Sequence, residues 1–192
     1  AIVTYATGKY LFTMDCDDVI IPDCIEILYR KMVEHPVDFV AASFVRKDVQ
    51  GNIYPGGCQY DDVLVEEGDY AVAQYRYGQG KNIFVATWNK LYRTDFLRKN
   101  KICCVPHYLI DDPWFTYQVI IRARSCRLIS DCSLFFTSNP LSLTSVNEQD
   151  GYTTFLGEQY LGTQRLKADY IYSLAEQPFY PGALVDLLKM SL

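Results

Sequence analysis

The chain has 192 residues, 49% hydrophobic and 21% charged, enough for one domain with a sizeable core or one domain plus a small appendage. A net charge of −5 and a pI near 5.0 leave no basic stripe to displace counterions, which argues against a nucleic-acid partner; any phosphate ligand needs a metal or a local Arg or Lys. No apolar run approaches the ~20 residues of a membrane span, and seven cysteines without C-x-x-C spacing fit reduced thiols in the cytoplasm rather than a disulfide framework.

In chain order, Ala1 to Thr7 reads as the end of a helix stopped by Gly8, a residue suited to a left-handed cap. Ala1 opens in mid-element, so a preceding segment is expected. Tyr10 to Met14 is a short apolar strand that runs into Asp15, Asp17 and Asp18. Pro22 and Asp23 then start a helix, with Ile25, Leu28, Tyr29 and Met32 at helical spacing and His35-Pro36 as its stop. Val37 to Val45 reads as a buried strand. Residues 46 to 58, with Gly51-Asn52 and Pro55-Gly56-Gly57, suit a hairpin or a flap over a site.

A short helix is expected from about Asp69 to Tyr77, an extended run from Phe84 to Tyr92, and another short helix from Thr94. Asp111, Asp112 and Pro113 open a helix carrying Phe115, Val119 and Ala123 on one face. Cys126 to Thr137 is strand-like. Helical pattern returns from Tyr152 to Glu176, and after Pro178 and Pro181 a last helix runs through Leu184, Leu187 and Leu188. The division expected is 1–145 for the main α/β unit and 146–192 for a Tyr-rich helical tail that could pack on the core, a partner or a membrane surface.

Three carboxylates within four positions repel one another unless a cation sits among them. At the carboxyl end of a strand in an open α/β sheet they can present a divalent metal to a ligand. The alternative is loop chemistry, since Asp is also a turn and capping residue.

Ala6-Thr7-Gly8-Lys9-Tyr10-Leu11-Phe12-Thr13-Met14-Asp15-Cys16-Asp17-Asp18, with Ile21-Pro22-Asp23 and Leu28-Tyr29, resembles the signature of family-two GT-A glycosyltransferases. Trp88-Asn89-Lys90-Leu91-Tyr92-Arg93 is similar to that family's W-N-K-L-Y-R segment, and Asp111-Asp112-Pro113-Trp114-Phe115 falls where the family has E-D-x-x-F. The resemblance covers about residues 6 to 145. It implies a partial GT-A, Rossmann-like mixed sheet with flanking helices and a C-terminal helical extension. It further implies an inverting transferase that moves a sugar from a nucleotide-diphosphate donor to a hydroxyl on a saccharide or lipid-linked acceptor, in polysaccharide or glycoconjugate synthesis.

On that resemblance Asp15 and Asp17 hold Mg²⁺ or Mn²⁺ at the donor diphosphate, and Asp112 is the base for the acceptor hydroxyl. Asp18 either supports the metal site or caps the following helix; both readings stay open. Asp111 stands where the family has Glu and orients acceptor or base. Asn89 and Lys90 offer an amide and a cation to the substrate, and Trp88 stacks on a sugar ring or belongs to the core. Two departures are visible. Phe136-Thr137 replaces a Tyr-Arg pair, and the nucleotide-binding half expected before residue 1 is missing, so the chain is expected to be the metal-and-acceptor portion of a larger protein, inactive by itself.

Other classes remain. Asp15-Cys16-Asp17-Asp18-Val19 also satisfies the D-x-D-x-[TV] pattern of haloacid-dehalogenase-like phosphatases, with Asp15 as nucleophile, Asp17 as acid and Asp111 or Asp112 as a second metal ligand. A non-catalytic binding or assembly domain is the third reading. An intracellular location, with the inner membrane face and self-association both open, completes the expectations.

Overall fold

The computed structural model describes residues 2–105, 112–139 and 154–189. Its strands are β1 (Tyr10–Phe12), β2 (Val19–Ile20), β3 (Phe39–Asp48), β4 (Ile53–Cys58), β5 (Val63–Val65), β6 (Lys90–Arg93) and β7 (Cys126–Ser138). Its helices are α1 (Ile2–Tyr5), α2 (Cys24–Glu34), α3 (Ala71–Ala73, continuing as a π-turn through Gln74–Gly78), α4 (Thr94–Lys99), α5 (Asp112–Arg122), α6 (Thr154–Tyr172) and α7 (Tyr180–Lys189). Among the described residues the strands form one mixed sheet in the order β1-β6-β3-β7-β2, with β4 added to β3 and β5 to β7. Only β3 and β7 pair in parallel; every other pairing is antiparallel.

The apolar run of β3 is explained by its place at the centre of the sheet, covered on both faces. Phe39 and Ala41 enter the larger core, Val40 and Ala42 the smaller one beneath α2. A bulge then breaks the alternation. The register with β7 passes from Ala42↔Ile129 to Ser43↔Cys132 and Phe44↔Leu134, so Phe44 rather than Ser43 faces the larger core. Ser43 repairs the interrupted ladder, its Oγ donating to the Ile129 carbonyl (3.0 Å) and accepting the Tyr60 N–H (2.9 Å).

Helix α2 buries Cys24, Leu28 and Met32. Ile25 and Tyr29, expected on that face, are 43% and 50% exposed, because the helix meets the sheet along one narrow stripe; Tyr29 instead lies edge-on to Tyr10 at 5.8 Å. On the other side, α5 is buried at every position from Phe115 to Ile121, being enclosed by the sheet, α3 and α6. Ile171, Phe179, Ala183 and Leu187 share the same core as Phe39 and Tyr92, so the described helices after residue 154 are packed into the main body. The expected boundary at 145/146 falls outside the described residues. Gly182 permits the closest contact there: a Cβ at that position would collide with the Tyr77 carbonyl. Arg76 and Asp186 pair across this seam at 2.8 Å. Among the described residues no helix is long and apolar enough to cross a membrane.

The extended run expected over Phe84 to Tyr92 is mostly not a strand. Residues 84–89 form an irregular loop and only Lys90–Arg93 enters the sheet, because Asn89 takes a left-handed conformation (φ 60°) that breaks the extended path.

Candidate active site

Strand β1 ends at Phe12, and the chain beyond it carries Thr13, Met14 and Asp15 into one wall of a cleft of about 750 Å³. Asp112 and Phe115, at the start of α5, line the same cleft, together with Thr87 and residues 101–104. Asp15 and Asp112, separated by almost a hundred residues of sequence, are thus brought to one cavity. Thr87 Oγ1 donates to Asp112 Oδ1 at 2.9 Å and fixes that carboxylate's orientation. Asp111 lies outside the described residues.

The three aspartates after β1 divide in role. Asp15 lines the cleft, and its carboxyl is pushed above the usual range first by partial burial and then by the charge of Asp17. Asp17 is exposed on the loop. Asp18 turns inward and is only 5% exposed; its Oδ1 accepts the Thr137 N–H (3.0 Å), tying the acidic loop to the end of β7, while Oδ2 is buried without a hydrogen bond. Burial is the main cause that raises this carboxyl to about 6, the charges of Asp17 and Asp15 adding to it and the Thr137 N–H opposing. Of its two open readings, the helix cap is not the geometry seen: Asp23, not Asp18, stands at the N-cap of α2, without a side-chain hydrogen bond.

Closely spaced carboxylate oxygens suit a hard divalent cation. Asp15 and Asp17 are the side chains that could offer such oxygens, with the orphaned Asp18 Oδ2 buried behind them. Among the described residues no three His, Cys, Asp or Glu side chains converge on one point.

Trp88, Asn89 and Lys90 are turned away from the cleft. Trp88 is 4% exposed, stacked on Phe136 (5.4 Å between centroids, 15° between planes) and edge-on to Phe44 (4.8 Å). Asn89 is fully buried and donates to the Ala42 carbonyl at 2.6 Å. Lys90 is also fully buried, and its ammonium donates to Phe84 O, Ala86 O and Asn89 Oδ1 at 2.8–2.9 Å. The W-N-K segment therefore builds the wall behind the site.

Thr87, Arg98 and the adjacent thiols Cys103 and Cys104 line the cleft without having been singled out in the sequence. Arg98 Nε donates to the Val3 carbonyl (3.1 Å) and its Nη2 also reaches the Ala6 carbonyl, pinning α1 to α4 along the rim. Only the position of Thr87, just before Trp88-Asn89-Lys90, gave a signal, and it carried no chemistry by itself.

The sequence profile described as glycosyl transferase family 2 matches residues 1–100, just over half of the chain. The chain belongs to glycosyl transferase family 2. That match covers the Asp15–Val19 stretch on which a phosphatase pattern also fell. No curated protein sequence matches the chain.

Among solved structures, the fold is similar to residues 1–349 of S. aureus TarS, with a TM-score of 0.60 and 21% identity over 88% of this chain and 42% of that one. The same TarS fragment in complex with UDP gives 0.60 at 20% identity over 88% and 42% of the two chains. Its complex with UDP-GlcNAc gives 0.58 at 18% over 98% and 59%. The family-2 chain thus spans less than two thirds of these relatives. Its mixed sheet with flanking helices is similar to the GT-A fold of TarS.

Proposed function

We propose that the protein of which this family-2 chain forms a part is an inverting glycosyltransferase, with a UDP-sugar as donor and a hydroxyl of a saccharide or lipid-linked molecule as acceptor. The observation that carries this reading is the joint placement of Asp15 and Asp112 in one cleft of about 750 Å³, a size suited to a small polar ligand. UDP and UDP-GlcNAc, bound by the TarS fragment, support the choice of donor class.

In this scheme Asp112 accepts the proton of the acceptor hydroxyl as that oxygen bonds to the anomeric carbon. The bond from that carbon to the diphosphate oxygen breaks on the opposite side, and the configuration inverts. Thr87 keeps the carboxylate aimed before attack. Asp15 and Asp17 would hold Mg²⁺ or Mn²⁺, which offsets charge on the departing diphosphate. Asp18 fixes the loop that carries them to β7. Low-dielectric walls from Leu11, Leu97, Ile102 and Phe115 limit water near the reacting atoms. Under this proposal the reaction belongs to polysaccharide or glycoconjugate synthesis on the cytoplasmic side of the cell.

Asp112→Asn tests the scheme. With UDP-GlcNAc and other UDP-sugars plus Mn²⁺, UDP release should fall by about 10²- to 10⁴-fold, the range for loss of a general base, while UDP binding persists. An unchanged rate would remove Asp112 from the chemistry. Release of inorganic phosphate with an acyl phosphate on Asp15 would replace this reading by the phosphatase one.

A further inference from the structure

Loop 84–89 has no regular secondary structure, yet it presents a side chain that holds Asp112, the Thr87 hydroxyl. Its shape is set from inside. The Lys90 ammonium gathers Phe84 O (2.9 Å), Ala86 O (2.8 Å) and Asn89 Oδ1 (2.8 Å) around a single nitrogen. Tyr60 Oη accepts the Phe84 N–H (2.9 Å), and Tyr92 Oη donates to the Thr87 carbonyl (2.8 Å). We propose that Lys90 is a positioning residue for Asp112, its buried ammonium folding loop 84–89 so that the Thr87 hydroxyl meets the Asp112 carboxylate. The inference rests on the reading of Asp112 as the base.

An ammonium group has three N–H donors, and three acceptors are present, so every donor is used within the protein. A neutral amine has two donors and a lone pair, which would face one of those oxygens and repel it. Full burial draws the ammonium pKa down to about 7, against the opposing pull of Asp112 on α5, Cys58 on β4 and Cys126 on β7. Burial pushes both thiols and the facing phenols of Tyr60 and Tyr92 upward, so these groups stay neutral near pH 7. The brace is therefore complete on the acidic side of neutrality and loosens as Lys90 loses its proton.

Amide hydrogen exchange on the 192-residue chain reads the brace without any need for turnover. The reporters are the Phe84 amide and those of Thr116 to Gln118, which bond back to the first turn of α5. Lys90→Met should speed exchange at both places tenfold or more while α2, on the far face of the sheet, keeps its rates. Thr87→Val should speed it only at 116–118. In the double variant the 116–118 rates should match those of Lys90→Met alone; a multiplicative effect, or no effect of Lys90→Met on 116–118, overturns the inference.

If Lys90→Met does not fold, the unaltered chain at pH 6 and pH 8.5, corrected for intrinsic exchange, supplies the same comparison. Faster corrected exchange at 116–118 at the higher pH is expected, abolished by Thr87→Val; equal corrected rates overturn the inference. In the full-length protein with UDP-GlcNAc and Mn²⁺, both variants should lower kcat about 10- to 100-fold, the scale of a misplaced reacting group, with the donor KM little changed. Wild-type kcat in both beside an inactive Asp112→Asn defeats the positioning role alone. Wild-type kcat in Asp112→Asn defeats the base assignment, and the exchange data still decide the brace.

Discussion

Replacing Trp88 with Ala distinguishes a core side chain from a sugar platform. Trp88 is 4% exposed, so nearly all of its surface would be lost from the interior. Trp or Phe to Ala in a core costs about 3–5 kcal/mol. Three aromatic partners, Phe44 at 4.8 Å, Phe136 at 5.4 Å and Phe84 at 5.5 Å, place the expected loss near the upper end of that range. For a chain of this size, about 5 kcal/mol lowers Tm by roughly 10–20 °C. Trp88→Phe keeps one ring in the cluster and should lose about half as much. Urea unfolding followed by circular dichroism measures both. Added indole should restore part of the Trp88→Ala loss by filling the apolar cavity. A loss below about 1 kcal/mol, accompanied by weaker donor binding, would show the ring to be a substrate surface and refute the packing argument.

Mn²⁺ at about a hundredfold over its dissociation constant should stabilise the chain by about 2.7 kcal/mol, a rise of roughly 5–10 °C; the Asp15→Asn, Asp17→Asn double variant should show none of it in differential scanning fluorimetry. In metal-free buffer, Asp18 links stability to pH. Its carboxyl rises from 3.8 to about 6, so the folded state binds the proton more tightly; stability therefore falls as pH climbs from about 4 through 6, by about 2–3 kcal/mol. Asp18→Asn should flatten that dependence in urea titrations run with EDTA, and a slope that persists would show the carboxylate to be better solvated than its burial implies. Gly182→Ala should cost at least about 1–3 kcal/mol by overpacking α7 against the π-turn; a variant with an unshifted urea midpoint would mean that the two segments are not in contact.

Local patterns sufficed for much of this protein. The apolar strand from Tyr10, which stops at Phe12 two residues short of the expected Met14, the Pro22-Asp23 and Asp112-Pro113 helix openings and the long β7 run all lie where the sequence put them. Each depends on residues within a few positions of one another, and propensity and periodicity report on that range. β2 and β5, only two and three residues long, have too few positions to reveal a period and exist because β7 offers them an edge.

The site's wiring belongs to long-range packing. Thr87 meets Asp112 across 25 positions and Asp18 meets Thr137 across 119, distances at which no sequence period carries information. The W-N-K segment shows the same limit: a Trp, an amide and an ammonium are all plausible ligand contacts in a string of letters. Asn89's positive φ and the core around Trp88 turn them inward. The order of residues thus determined which chemical groups are available and near which strand and helix ends they stand. Which of them face the cleft and which brace it was decided only when the sheet, α5 and loop 84–89 packed together, because burial and hydrogen-bond satisfaction are properties of the assembled interior.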